Sequence, residues 1–116
     1  MAVQLIADLY GCDPNILDSE EYIRKISENA IKAIGAEIVE ECVHKFQPIG
    51  ITYFAVISTS HFSIHTWPEY GYAAVDVFSC REFAANELTD MLKKAFKAEK
   101  VQINELVRKV EPFGKV

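Results

Sequence analysis

From Ala36 to Cys80 the chain reads as four strand-like runs, separated by breaks too short for anything but turns. They are "AEIVEECVHKFQP", ended by Pro48, then "GITYFAVIS", then "SHFSIHTW", ended by Pro68, and then "YGYAAVDVFSC". Strands joined so tightly must be largely antiparallel, because a parallel pair needs a crossover of a dozen residues or more. Two helical patterns and two further strands flank this block. "VQLIADLY", Val3 to Tyr10, alternates as a strand. Asp18 with Glu21 makes a capping box for a first helix, Ile23, Ile26, Ala30, Ala33 and Ile34 give it one apolar stripe, and Gly35 stops it. A second helix runs from about Ala85 to Phe96, with Leu88, Met91, Leu92, Ala95 and Phe96 on one side. "KVQINELVRKV" reads as a last strand at a sheet edge. The expected order is β-α-β-β-β-β-α-β, a two-layer α+β sandwich with a mainly antiparallel sheet and two helices on one face.

Two helices leave one face of the sheet uncovered. In the fifth strand Ala73, Val75 and Val77 share a face, and Tyr72, Ala74, Asp76, Phe78 and Cys80 share the other. In the fourth, Phe62 and Ile64 oppose His61, Ser63, His65 and Trp67. Both faces carry bulky apolar groups. Half the 116 residues are hydrophobic, which is high for a single domain of this length. A second copy of the sheet, giving an αββα homodimer, is the expected cover.

The formal net charge of −5 and the scattered lysines argue against nucleic acid as a partner. "MAVQLIADLYGCD" has neither a basic lead nor a long apolar run, so no membrane partner and a cytoplasmic location are expected. Three cysteines, Cys12, Cys42 and Cys80, without C-x-x-C spacing fit neither a disulfide framework nor a zinc ribbon.

Taken singly, the polar residues of the central block have ordinary explanations. His61 and His65 share a strand face, but a third metal ligand is not evident, so no metal is expected. Cys80 reads as a small buried hydrophobe and Ser58–Thr59–Ser60 as a turn. No phosphate loop or nucleophile elbow is present.

Taken together, "ISTSHFSIHTWPEYGYAAVDVFSC" resembles the prokaryotic S-adenosylmethionine decarboxylase proenzymes. That family carries a serine–histidine pair, then I-H-T-W-P-E-x-G-Y-A, then D-x-F-x-C, at this spacing. "ADLYGCD" and "HKFQPIGIT" resemble the family's first strand and its H-x-F-x-P-x-G segment. The resemblance implies autocatalytic serinolysis at Thr59–Ser60. The Ser60 hydroxyl attacks the Thr59 carbonyl, the amide becomes an ester, and elimination and hydrolysis leave a pyruvoyl group. Residues 1–59 of the single domain 1–116 would become the β chain and 60–116 the α chain. The pyruvoyl cofactor would form a Schiff base with the substrate, S-adenosylmethionine, and accept the electrons of decarboxylation, the step that supplies the aminopropyl donor for spermidine. The resemblance further implies that His65 assists processing and that Cys80 returns a proton to the decarboxylated carbon. It implies that Phe46 stacks on adenine, that Thr52 assists processing beside the substrate, and that Glu69 holds the ribose hydroxyls. In this family the site lies between two protomers, with Ser60 and Cys80 from one and Phe46, Thr52, His65 and Glu69 from the other.

Departures from the pattern accompany the likeness. Thr59 stands where the family usually has glutamate, Thr52 where it has serine, and Tyr53 where it commonly has glycine. The glycine–arginine–histidine-like lead before the first strand is missing. The first three of these changes cluster around the scissile bond and pocket, and Tyr53 is expected to add bulk there. Two alternatives therefore stay open: a decarboxylase of arginine or ornithine on the same scaffold, or an unprocessed paralogue that binds a partner protomer or a nucleoside and catalyses nothing.

Overall fold

A computed structural model of the chain describes residues 1–114; the last two residues of the expected 60–116 segment lie outside it. Among the described residues six strands form one sheet, in the order β2-β3-β4-β5-β1-β6. The strands are β1 (Ala2–Tyr10), β2 (Ile38–Lys45), β3 (Ile51–Ile57), β4 (Ser60–Trp67), β5 (Tyr72–Ser79) and β6 (Lys100–Arg108). Every neighbouring pair is antiparallel. Helices α2 (Glu20–Ala33) and α3 (Ala85–Phe96) pack on one face of the sheet. The α+β class is as expected, and β6 is an edge strand.

Alternation decides the core. Leu5, Ala7 and Leu9 of β1, Ile51, Tyr53, Ala55 and Ile57 of β3, and Val75 and Val77 of β5 point under the helices and are buried. They meet Ile23, Ile26, Ala30 and Ile31 of α2 and Leu88, Leu92 and Phe96 of α3. The helix stripes have the i, i+3, i+4 spacing that such a face requires.

The structure adds one element and moves one cap. "GCDPN" is more than a break. Asp13 accepts the Asn15 N–H, Pro14 opens a short helix α1 (Pro14–Leu17), and Leu17 is fully buried. The cap of α2 is Ser19, whose Oγ accepts the Tyr22 N–H at 3.2 Å, and not Asp18. The Asp18 carboxylate turns instead to Lys45 and to the Gly50 N–H, which lie far away in sequence.

On the opposite face of the sheet, Ile6, Phe54, Val56 and Trp67 stay more than a third exposed. Around them stand Gln4, Asp8, His61 and Asp76, joined as Gln4–Asp76 and Tyr72–Asp8 pairs. Among the described residues no helix is long and apolar enough to cross a membrane.

Candidate active site

Two groups of candidate residues sit on this fold, at opposite ends of β4. The first surrounds the β3–β4 turn. Ile57 pairs with Ser60, so Ser58 and Thr59 alone make the connection. Glu37 holds the turn from the side. Its carbonyl accepts the Ser58 N–H at 2.8 Å and its own N–H donates to Ser58 Oγ at 3.0 Å. Ser60 takes φ +147°, a region that side chains other than glycine rarely enter. Thr59, immediately before it, is buried, and its Oγ1 has no hydrogen-bond partner. The Thr59 carbonyl oxygen accepts the Cys80 N–H at 2.7 Å. Cys80, just beyond the end of β5, has an exposed free thiol. A strained serine thus follows a carbonyl that already carries a strong backbone donor.

The second group lines a cleft of about 390 Å³ at the other end of β4. Phe46, Thr52, His65 and Glu69, four of the residues singled out from the sequence, all face it, with Ile49 and Trp67 beside them. Register explains the meeting. Thr52 and His65 are directly opposed on β3 and β4, and Thr52 Oγ1 lies 3.0 Å from His65 Nδ1. Phe46 reaches the cleft from the loop after β2, where its N–H donates to the Gly50 carbonyl at 2.8 Å. Glu69 comes from the 3₁₀ turn Pro68–Tyr70 that ends β4. Trp67 was not among the residues expected to act, although its spacing of two from His65 puts both on one face.

Five steps of extended chain separate Ser60 from His65, about 17 Å along one strand. Within one protomer the two groups therefore do not meet.

Three other features carry no such arrangement. A larger depression of about 590 Å³ on the outer side of α2 is lined by charged residues such as Glu20, Arg24 and Glu28. His61 lies between the rings of Phe54 and Phe78 and 3.8 Å from Asp76. Burial pushes the Cys12 thiol up to about 11, which leaves it an inert core group. Among the described residues no group of three or more His, Cys, Asp or Glu could hold a metal ion.

The family model for S-adenosylmethionine decarboxylase matches residues 3–109. The chain belongs to that family. It is 55% identical over 95 residues to the S-adenosylmethionine decarboxylase proenzyme of Caldicellulosiruptor saccharolyticus, covering 77% of this chain and 76% of that one. It is 44% identical over 113 residues to the proenzyme of Methanococcus maripaludis, covering 97% and 93%. The crystal structure of the adenosylmethionine decarboxylase from Aquifex aeolicus VF5 superposes with a TM-score of 0.87 at 31% identity, over 100% of this chain and 97% of that one.

Within the S-adenosylmethionine decarboxylase family, one expected departure needs correction. Tyr53 adds no bulk to the cleft. It follows Thr52, so it points to the opposite face, where it is fully buried against Phe62 and donates to Glu41 Oε2 at 2.6 Å. Burial, then that carboxylate, drives its phenol well above the ordinary range. Thr52 and Thr59 are the departures that do lie at the two groups.

Proposed function

We propose that this chain is a proenzyme that cuts itself between Thr59 and Ser60 and then decarboxylates S-adenosylmethionine. The observation that carries this reading is Ser60 itself, strained at φ +147° behind a carbonyl held by the Cys80 N–H, in a member of this family. The residues fit a pyruvoyl group made from Ser60. The turn is fixed at Glu37 and Cys80, so strain at Ser60 cannot relax by moving the loop. Such strain is worth about 1–3 kcal/mol.

In processing, Ser60 Oγ adds to the Thr59 carbonyl carbon. The Cys80 N–H is aimed at the oxygen on which negative charge develops, which is the oxyanion-hole arrangement. Collapse breaks the Thr59–Ser60 C–N bond and leaves an ester. Loss of the Ser60 α-proton breaks the Cβ–O bond and frees residues 1–59 with a Thr59 carboxylate. Water then replaces the nitrogen of the resulting dehydroalanine, releasing ammonia. The base for the α-proton is His65. It lies too far along its own strand to serve its own Ser60, so the partner's copy serves. Thr52 engages Nδ1 of that ring and leaves Nε2 for proton transfer.

On this reading the site lies between two copies whose open sheet faces meet. Half-exposed Ile6, Phe54 and Val56 supply apolar surface for that contact. Ser60 and Cys80 of one protomer then face the cleft of the other. Phe46 stacks on the adenine, and the Glu69 carboxylate accepts from the ribose hydroxyls. Once formed, the pyruvoyl group supplies the electron sink that departure of the carboxylate requires. The Cys80 thiol holds the proton that the product carbon needs. Three free cysteines suit a reducing cytoplasm.

Tyr53 no longer motivates an arginine or ornithine substrate, since its ring lies on the far side of the sheet. A substrate panel on the processed protein tests the reading. Carbon dioxide release from S-adenosylmethionine is expected; release from arginine or ornithine alone would overturn it.

A further inference from the structure

Asp18 lines no part of the cleft, yet it holds one of the cleft's walls, the loop that carries Phe46 and Ile49. Phe46 and Ile49 sit in a loop without regular structure between β2 and β3. Phe46 is 47% exposed and its ring meets that of His44 in a T-shaped pair with centroids 4.5 Å apart, so side-chain packing does little to fix it. Its backbone ties must do so. One oxygen, Asp18 Oδ1, accepts from Lys45 Nζ at 2.8 Å and from the Gly50 N–H at 2.9 Å. Lys45 immediately precedes the loop and Gly50 closes it, so a single carboxylate grips both ends. Gly50 takes φ +110°, and a Cβ there would meet the Thr66 carbonyl at 3.3 Å, so the chain is threaded closely at this point.

The residue before Asp18 completes the fastening. The Leu17 carbonyl accepts from Thr66 Oγ1 at 2.8 Å, and that oxygen accepts the Ile51 N–H at 2.9 Å. Thr66 is buried between His65 and Trp67 on β4. The end of α1 is thereby tied to β2, β3 and β4 at their cleft ends. Asp18 also pairs the Lys45 ammonium, a charge that would otherwise stand free near a cleft for a cationic sulfonium.

We propose that Asp18 is a positioning residue for the nucleoside half of the substrate, acting through Lys45 and Gly50 on the loop that presents Phe46. This rests on reading the cleft as the nucleoside subsite. It predicts an effect on binding and none on self-cleavage, because the bonds of Asp18 fix the loop that carries Phe46, whereas Thr52 and His65, which serve processing, are held by the β3–β4 register.

The test uses the full chain with Asp18→Ala and with Asp18→Asn. Intact mass reads processing, and steady-state rates read kcat and KM for S-adenosylmethionine. Adenosine is titrated into Ser60→Ala and Ser60→Ala/Asp18→Ala precursors by calorimetry. Asp18→Ala is expected to cut as the parent does, with KM raised about tenfold and kcat within about twofold, since a base–aromatic stack is worth about that much. Asp18→Asn is expected to raise KM less, because its amide oxygen still accepts the Gly50 N–H. Adenosine affinity should fall in parallel with the rise in KM. Unchanged KM and adenosine affinity would overturn the proposal, as would a lower kcat at constant KM, the mark of a smaller folded fraction. If Asp18→Ala does not fold, Asp18→Asn decides by the same split. If the parent neither cuts nor decarboxylates, the proposed function fails. Weaker adenosine binding in the double variant would then still support Asp18, and no adenosine binding to either precursor would overturn both.

Discussion

The N–H of Cys80 donates to the carbonyl oxygen of Thr59 at 2.7 Å, and so joins the end of β5 to the turn that precedes Ser60. This bond holds the turn while Ser60 stays in a backbone region suited to glycine. Two uncut variants separate strain from chemistry. Ser60→Gly removes both the hydroxyl and the steric conflict, whereas Ser60→Ala removes only the hydroxyl. In urea unfolding, uncut Ser60→Gly is expected to be more stable than uncut Ser60→Ala by about 1–2 kcal/mol. Equal stability, or a less stable glycine variant, would mean that the turn stores no strain.

The distance between Ser60 and His65 sets a second expectation. Ser60→Ala and His65→Ala chains, each alone, should stay uncut. Co-expressed, they are expected to form mixed dimers in which Ser60 of the His65→Ala chain meets the partner's intact His65. Cleaved His65→Ala chains should then appear, and these alone. No cleavage in the mixture would place the whole processing site within one protomer.

Tyr53 is a core residue and not a pocket one. Tyr53→Phe removes a bond to a carboxylate that still keeps Arg24. A loss of about 1–2 kcal/mol in stability with unchanged processing is expected. Tyr53→Gly, which restores the family's usual residue, should destabilise by about 3–5 kcal/mol through the cavity it leaves. Faster processing in either variant would contradict the placement of the ring.

Asp18 gives a pH dependence with a definite sign. Its hydrogen bond to Lys45 first, and then the Gly50 N–H, hold its carboxyl below the usual carboxylate range. The unfolded chain therefore takes up this proton at higher pH than the folded one. The stabilisation is full above the ordinary carboxylate pKa and is lost as pH falls through the lowered folded value. The difference in melting temperature between parent and Asp18→Asn should be largest near neutrality and should shrink in acid. A constant difference would show that the carboxylate charge contributes nothing.

Much of this was legible in the sequence because two simple periodicities carry it. Alternation through β4 and β5 identified both sheet faces, and the helix stripes located α2 and α3. The cap of α2 was not legible. Asp18 with Glu21 satisfies the capping-box rule, and the adjacent Ser19 can cap equally well. Lys45 and Gly50 decide between them, and both are more than twenty residues away. Tyr53 was misjudged for a different reason. Nearness in sequence to Thr52 suggested nearness to the cleft, although strand alternation sends consecutive residues to opposite faces. Of the site, the sequence resemblance named the residues. It also set Ser60 and Cys80 apart from Phe46, Thr52, His65 and Glu69, but it gave neither the cleft that the four line nor the about 17 Å of strand between Ser60 and His65.

Every later step of the proposed reaction depends on the catalytic group that the chain makes at Ser60. Intact mass of the purified protein, beside a Ser60→Ala control, tests it most directly. Two chains divided at Thr59–Ser60 are expected, the second lighter by the change from an N-terminal serine to a pyruvoyl group, beside a single uncut control. One uncut chain of full mass in both samples would contradict it.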